Sequence, residues 1–245
     1  MVKEFHALPA NVKNTLKMRH HNKANPNVYR GLAPFLDNDP SHKELFDTGL
    51  PWSQFSADQH KYRLVERTPY PEESEYRHLQ EGYERHFSLF MDLSLQLLSY
   101  LALGLGKHKD FFRPWFEKNS LSTFRSIYYL PRDHEDAASS SKLTASDLKL
   151  TTPEHADSGF LTLLTTFGYP GLQVLIDDEY RTIKPEPNCL VINLGETFQR
   201  ITNFKVKATM HRVLDIGKVR YSSPFFLEPC YDVVIPSNML VPEEE

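Results

Sequence analysis

The sequence predicts a mainly β protein, a sandwich or jelly roll with flanking α-helices. Three observations carry this. Short apolar or alternating runs follow one another at 124–130, 160–167, 172–176, 180–184, 189–194, 206–214 and 219–227. Their length and β-branched, aromatic content are those of strands. Turn formers separate them, at Pro170-Gly171, Asp177-Asp178, 185–188 and Ile216-Gly217, and no helical pattern alternates with them as βαβ units would require.

The elements read in order as follows. Pro9 sits just inside a helix start, with Val12, Leu16 and Met18 on one side. Residues 22–74 are rich in Pro, Asn and Asp, with scattered Tyr29, Phe35, Phe46, Trp52, Phe55 and Tyr62. They read as irregular chain pinned to a surface by its aromatics. Residues 75–103 give the strongest helix signal: Leu79, Tyr83, Phe87, Phe90, Leu97 and Leu101 recur at helical spacing between charges, and Gly104 and Gly106 end the run. Such a stripe is that of a packing helix. Residues 132–149 are a polar surface loop containing Ala137-Ala138-Ser139-Ser140-Ser141. The chain thus divides into a helical and irregular region (1–120), a β core (121–230) and a C-terminal tail (231–245), without internal repeats.

A chain of 245 residues is one domain, or one with an appendage, and buries a sizeable core. A net charge of −4 and a pI near 6.3 argue against nucleic acid or an anionic membrane as partner. No segment reads as a bilayer span, since 93–105 is broken by Ser94, Gln96, Ser99 and Tyr100. The first residues contain no apolar signal region, so a cytoplasmic protein is expected. Of the two cysteines, Cys189 and Cys230, Cys189 lies in an apolar run and reads as a buried thiol; no disulfide framework is implied.

Three His-x-Asp triplets occur: His108/Asp110, His134/Asp136 and His155/Asp157. The first two lie in charged or polar stretches and read as solvated surface. The third precedes Gly159 and a strand, and residues i and i+2 of extended chain point to one side. Two histidines and a carboxylate can hold one face of a ferrous ion. His211, in an apolar-flanked run, is the candidate third ligand, although a lone strand histidine is ordinarily a satisfied core residue. Arg220 and Ser222 are again i and i+2. An arginine aimed into a sandwich is costly unless paired, and a bound carboxylate would pair it; an edge-strand surface arginine is the alternative.

From His155 to Pro229 the chain resembles the isopenicillin N synthase-like branch of the non-haem iron, 2-oxoglutarate-dependent dioxygenases. The resemblance rests on 155–164, Gly171-Leu172-Gln173-Val174, Val191-Ile192-Asn193-Leu194-Gly195, Ile201-Thr202-Asn203, His211-Arg212-Val213, Arg220-Tyr221-Ser222 and Phe225-Phe226. Weaker matches lie at Tyr29-Arg30-Gly31, 102–105 and 125–131. The resemblance implies a double-stranded β-helix core, His155, Asp157 and His211 as iron ligands, and Arg220 and Ser222 on the far carboxylate of 2-oxoglutarate. It also implies Tyr129 on the co-substrate, although the family's usual Asn-Tyr-Tyr-Pro is here Ile127-Tyr128-Tyr129-Leu130-Pro131.

The activity implied is oxidation of a small organic substrate (hydroxylation, desaturation or cyclisation) with release of succinate and CO2. Fe(2+), 2-oxoglutarate and O2 are the implied cofactors and co-substrates, with ascorbate as reductant. The protein would be monomeric. The alternatives are a 2-oxoglutarate-independent iron oxidase of the same fold and an inactive binding protein. Leu161, Leu163, Leu172, Val174, Val191 and Phe226 are candidate pocket residues, with sandwich core as their ordinary alternative. Relative to the family, an N-terminal segment that adds strands is missing, which would leave an unpaired sheet edge.

Overall fold

The computed structural model describes residues 1–118, 120–130 and 149–236. Two antiparallel sheets face each other. The larger holds β1 (Gly31–Ala33), β2 (Lys43–Thr48), β3 (Thr123–Tyr129), β10 (Arg220–Leu227), β5 (Leu161–Thr165) and β8 (Val191–Leu194), in that spatial order. The smaller holds β4 (Leu150–His155), β9 (His211–Leu214), β6 (Leu172–Ile176) and β7 (Glu179–Thr182). Strands that alternate between sheets along the chain make a jelly roll.

The period-2 side-chain alternation of a strand divides the large sheet into two faces. On β10, Arg220, Ser222, Pro224 and Phe226 face the space between the sheets, while Phe225 and Leu227 join the main hydrophobic core. That core lies between the sheet and α3 (Arg77–Gly104). Leu79, Tyr83, Phe87, Leu98 and Ala102 of α3 are buried there. Phe87 meets Phe225 edge-on at 5.2 Å, and Phe90 stacks on Phe124 at 5.5 Å. The helix α1 (Val2–His6) closes the same side, with Phe5 stacked on Phe46 at 3.9 Å. α2 (Ala10–Thr15) follows, with Pro9 one position earlier than expected, as the N-cap; Val12 and Leu16 are buried.

Several expectations are corrected. Residues 22–74 are not wholly irregular: β1 and β2 lie within them and extend the large sheet. Their shortness and their Lys, Glu and Asp content hid them from a hydrophobic-periodicity reading. β2 pairs with β3, β1 pairs with β2, and Met18 N–H in turn donates to Leu32 O at 2.9 Å on β1. Gly31 belongs there because its φ of +126° is left-handed territory and a Cβ would come within 2.6 Å of Leu16 O. β4 and α4 (Glu196–Ile201) were also missed. The run 206–214 is a strand only from His211 on.

The buried stripe of α3 continues through Ser94, Leu98 and Ala102, leaving Leu97 and Leu101 half-buried, because the helix face drifts relative to the spacing read. By length and composition alone, Ser74–Gly104 is long and apolar enough to cross a bilayer, contrary to expectation; Ser, Gln and Tyr interruptions do not lower its hydropathy enough. Cys189 is exposed and Cys230 buried, the reverse of the expectation for Cys189, which precedes β8 in a turn. The polar loop, apart from its last residue, and the last nine residues of the tail lie outside the described residues.

Candidate functional site

The facing sheets enclose a cavity of about 290 Å³. All six predicted site residues, His155, Asp157, His211, Arg220, Ser222 and Tyr129, line it. β4 and β9 place His155 opposite His211 in register, and the rings lie 4.2 Å apart between centroids. The Nε2 atoms of His155 and His211 stand 3.7 and 3.8 Å from the same Asp157 Oδ1. One ligand atom from each residue lies within 4.8 Å of the others.

Local hydrogen bonds orient all three side chains. His155 Nδ1 lies 2.9 Å from Pro153 O, and His211 Nδ1 lies 2.9 Å from Thr209 O. A carbonyl only accepts, so each Nδ1 donates to it, and each Nε2 is the ring atom turned toward the shared centre. Asp157 is only 8% exposed. Its Oδ2 accepts from Thr162 Oγ1 at 2.6 Å and from Asn193 Nδ2 at 2.8 Å, leaving Oδ1 toward the two imidazoles. Such supporting bonds orient the coordinating atom. The backbone is fixed too: Glu196 N–H, at the start of α4, donates to Asp157 O at 2.8 Å.

The second cluster lies along β3 and β10. Arg220 is 2% exposed, and its Nε and Nη1 are buried with no hydrogen-bond partner among the described residues. The guanidinium sits over the Tyr129 ring, 4.4 Å from its centroid, and Ser222 Oγ donates to Tyr129 Oη at 3.3 Å. Burial pushes the Tyr129 phenol up, but the Arg220 and Lys43 charges outweigh it and hold the phenol below the ordinary tyrosine value. Leaving a buried guanidinium with unused donors costs folding free energy, on the order of several kcal/mol for an uncompensated charge. An anionic ligand removes that cost.

This arrangement fits the implied groups on its own chemistry. The His155–Asp157–His211 set matches a 2-His-1-carboxylate centre for Fe(II), and the unused Arg220 donors match one carboxylate of a dicarboxylate. His108 is exposed and Asp110 half-buried, 3.7 Å from each other and away from the cavity; His134 and Asp136 lie outside the described residues. Of the candidate pocket residues, Leu172, Val174, Val191 and Phe226 line the cavity. Leu161 and Leu163 take their ordinary alternative and pack in the helix-side core, while Thr162 and Leu164 take the cavity face.

Polar lining residues were missed, among them Thr162, Asn193, Lys43 and Arg125. Strand parity signals Thr162, which sits two residues before Leu164 on the cavity face. Arg125 shares strand parity with Tyr129 on β3, whereas Lys43 becomes visible only with β2. Arg125 is answered by Asp47, with Nε to Oδ1 at 2.6 Å and Nη2 to Oδ2 at 2.8 Å.

Residues 121–229 match the model of the 2OG-Fe(II) oxygenase superfamily. Gibberellin 20 oxidase 2 of Arabidopsis thaliana is 34% identical over 206 residues, which cover 80% of this chain and 51% of the relative. The chain spans about half the length of the curated relatives it matches. A 2OG-Fe(II) oxygenase family protein from Caulobacter crescentus superposes with a TM-score of 0.79 at 25% identity, over 98% of this chain and 75% of that one. A full-length Neurospora crassa protein, solved in complex with alpha-KG and 5-formyluracil, shares the fold, with a TM-score of 0.76 at 21% identity over 99% of this chain and 73% of that one. The sheet order, the facing histidines and the family match together make the β core of this chain a member of the 2OG-Fe(II) oxygenase superfamily.

Proposed function

We propose that this protein is an Fe(II)- and 2-oxoglutarate-dependent dioxygenase that oxidises a small organic molecule and releases succinate and CO2. The observation that carries the reading is the pairing, in one cavity, of a three-residue ligand set with a buried guanidinium whose Nε and Nη1 are unused. His155, Asp157 and His211 would hold the metal, and Arg220 with Ser222 and Tyr129 would hold the far carboxylate of the co-substrate. Bound Fe(II) supplies oxygen activation coupled to decarboxylation of the 2-oxo acid.

The chain's own part is orientation and exclusion of water. Thr162 and Asn193 aim Asp157, and the two backbone carbonyls aim the imidazoles. Leu172, Val174, Val191 and Phe226 keep the reacting space apolar. The substrate is a small molecule on the scale of the cavity. The test is succinate formation from 2-oxoglutarate, Fe(II) and ascorbate, with a pool of candidate metabolites, by wild type and by Asp157→Ala. Equal succinate from both proteins would remove the reading.

A further inference from the structure

Lys43 lines the same cavity and belongs to none of the motifs above. Register places it in a row: Lys43 of β2 is paired with Tyr129 of β3, and Tyr129 with Arg220 of β10. Adjacent strands lie about 4.8 Å apart, so Lys43 and Arg220 flank the Tyr129 phenol with backbones roughly 10 Å apart. The Lys43 ammonium donates to Thr151 O at 3.1 Å and to Thr152 Oγ1 at 3.0 Å. An ammonium has three donors, so one is left for another acceptor. Among the described residues no carboxylate forms an ion pair with it, whereas Arg125 nearby has Asp47. Burial pushes the Lys43 ammonium below the ordinary lysine value. The Arg125 and Arg220 charges add to this, and Tyr129 and Asp39 only partly oppose it, so the cation is held at a cost.

Two cations without a bonded carboxylate among the described residues, Lys43 and Arg220, therefore flank Tyr129 in register, and all three line the cavity. We propose that Lys43 is a further binding residue for the far carboxylate of 2-oxoglutarate, acting from the opposite side of Tyr129 to Arg220. The assignment rests on the co-substrate reading above. It also gives β2, outside the matched 121–229 segment, a direct part in choosing a 2-oxo dicarboxylate over a 2-oxo monocarboxylate. The competing role is a strut, with Lys43 merely tying the large sheet to β4 through Thr151 and Thr152.

The experiment is anaerobic calorimetric titration of the Mn(II)-loaded protein with 2-oxoglutarate and with 2-oxobutanoate, which lacks the far carboxylate. A charge-assisted hydrogen bond predicts that Lys43→Met weakens 2-oxoglutarate by roughly tenfold or more. The 2-oxobutanoate affinity should stay within about twofold, and Lys43→Arg should recover part of the loss. Equal weakening of both acids, or unchanged affinity for 2-oxoglutarate, overturns the assignment while leaving the co-substrate reading intact. Failure of 2-oxoglutarate to bind the wild type overturns the co-substrate reading and the Lys43 assignment together.

Discussion

Removing the Thr162 hydroxyl, by Thr162→Val, tests how the carboxylate ligand is held. Asp157 Oδ2 accepts two bonds, from Thr162 at 2.6 Å and from Asn193 at 2.8 Å, in a residue that is 8% exposed. Valine nearly preserves the shape and deletes one donor to a buried anion. A hydrogen bond to a charged group is worth about 1.5–3 kcal/mol. At about 1.4 kcal/mol per decade, that is roughly a 10- to 100-fold weaker metal site if the whole loss reaches the coordinating Oδ1. Asn193→Leu should cost a similar amount. The double variant should lose more than the sum, because Oδ2 is then buried without any donor and is free to turn inward and compete with Oδ1. Equilibrium dialysis with Mn(II) under anaerobic conditions reads the dissociation constant, and thermal unfolding of the metal-free proteins controls for folding. A constant within about twofold of wild type in both single variants would refute the claim that these bonds set the ligand.

Three further outcomes follow from the same physics. Arg220→Met should leave the ligand-free protein as stable as wild type or more so, since it removes a buried cation with unused donors. Excess 2-oxoglutarate, which at about 100 times Kd should stabilise the wild type by ~2.7 kcal/mol, should no longer raise its Tm. Burial, with the Asp157 charge adding to it and Arg30 opposing, raises the Glu228 carboxyl from 4.5 to about 7. The fold then binds a proton that the unfolded chain releases, so this stabilising contribution is complete below pH 4.5 and is lost as pH rises through 7, by at most ~3 kcal/mol. Glu228→Gln should flatten that part of the stability profile in urea titrations; an unchanged slope would show that Glu228 does not cause it. Gly31→Ala should destabilise by about 1–3 kcal/mol, from the strained φ and the approach to Leu16 O, and an unchanged urea midpoint would contradict the left-handed requirement there.

The core of the site was legible because its signals are local. His155 ends β4 and Asp157 follows two residues later, so the pair is held close by sequence alone, and Arg220 and Ser222 share a side by strand parity on β10. What parity could not give was partnership across strands. Lys43 faces Tyr129 only once β2 is known to pair with β3, and β2 carries charge on both faces. Glu44 is ionised against Lys13 at 3.1 Å, while buried His6, kept neutral by desolvation, donates to it at 2.7 Å. Such a strand offers little apolar alternation to detect. On β5, the run Leu161-Thr162-Leu163-Leu164 carries leucine on both faces, so its phase could not be fixed from sequence, and the core alternative holds for Leu161 and Leu163. Cys189 misled in the same way, since an apolar neighbourhood in sequence proved to be a turn in space.

The two imidazole-to-carbonyl bonds have an evolutionary corollary. Each histidine is steered by the main chain two positions before it, from Pro153 and from Thr209. Main-chain carbonyls are supplied by every amino acid, so no particular side chain must be inherited to keep the two rings aimed. Surrounding loops are then free to diverge and to meet new molecules without recalibrating the histidine pair. By contrast Asp157 depends on Thr162 and Asn193, two side chains that mutation can delete. Drift in this scaffold should therefore be tolerated around the histidines and punished at those two supporting positions.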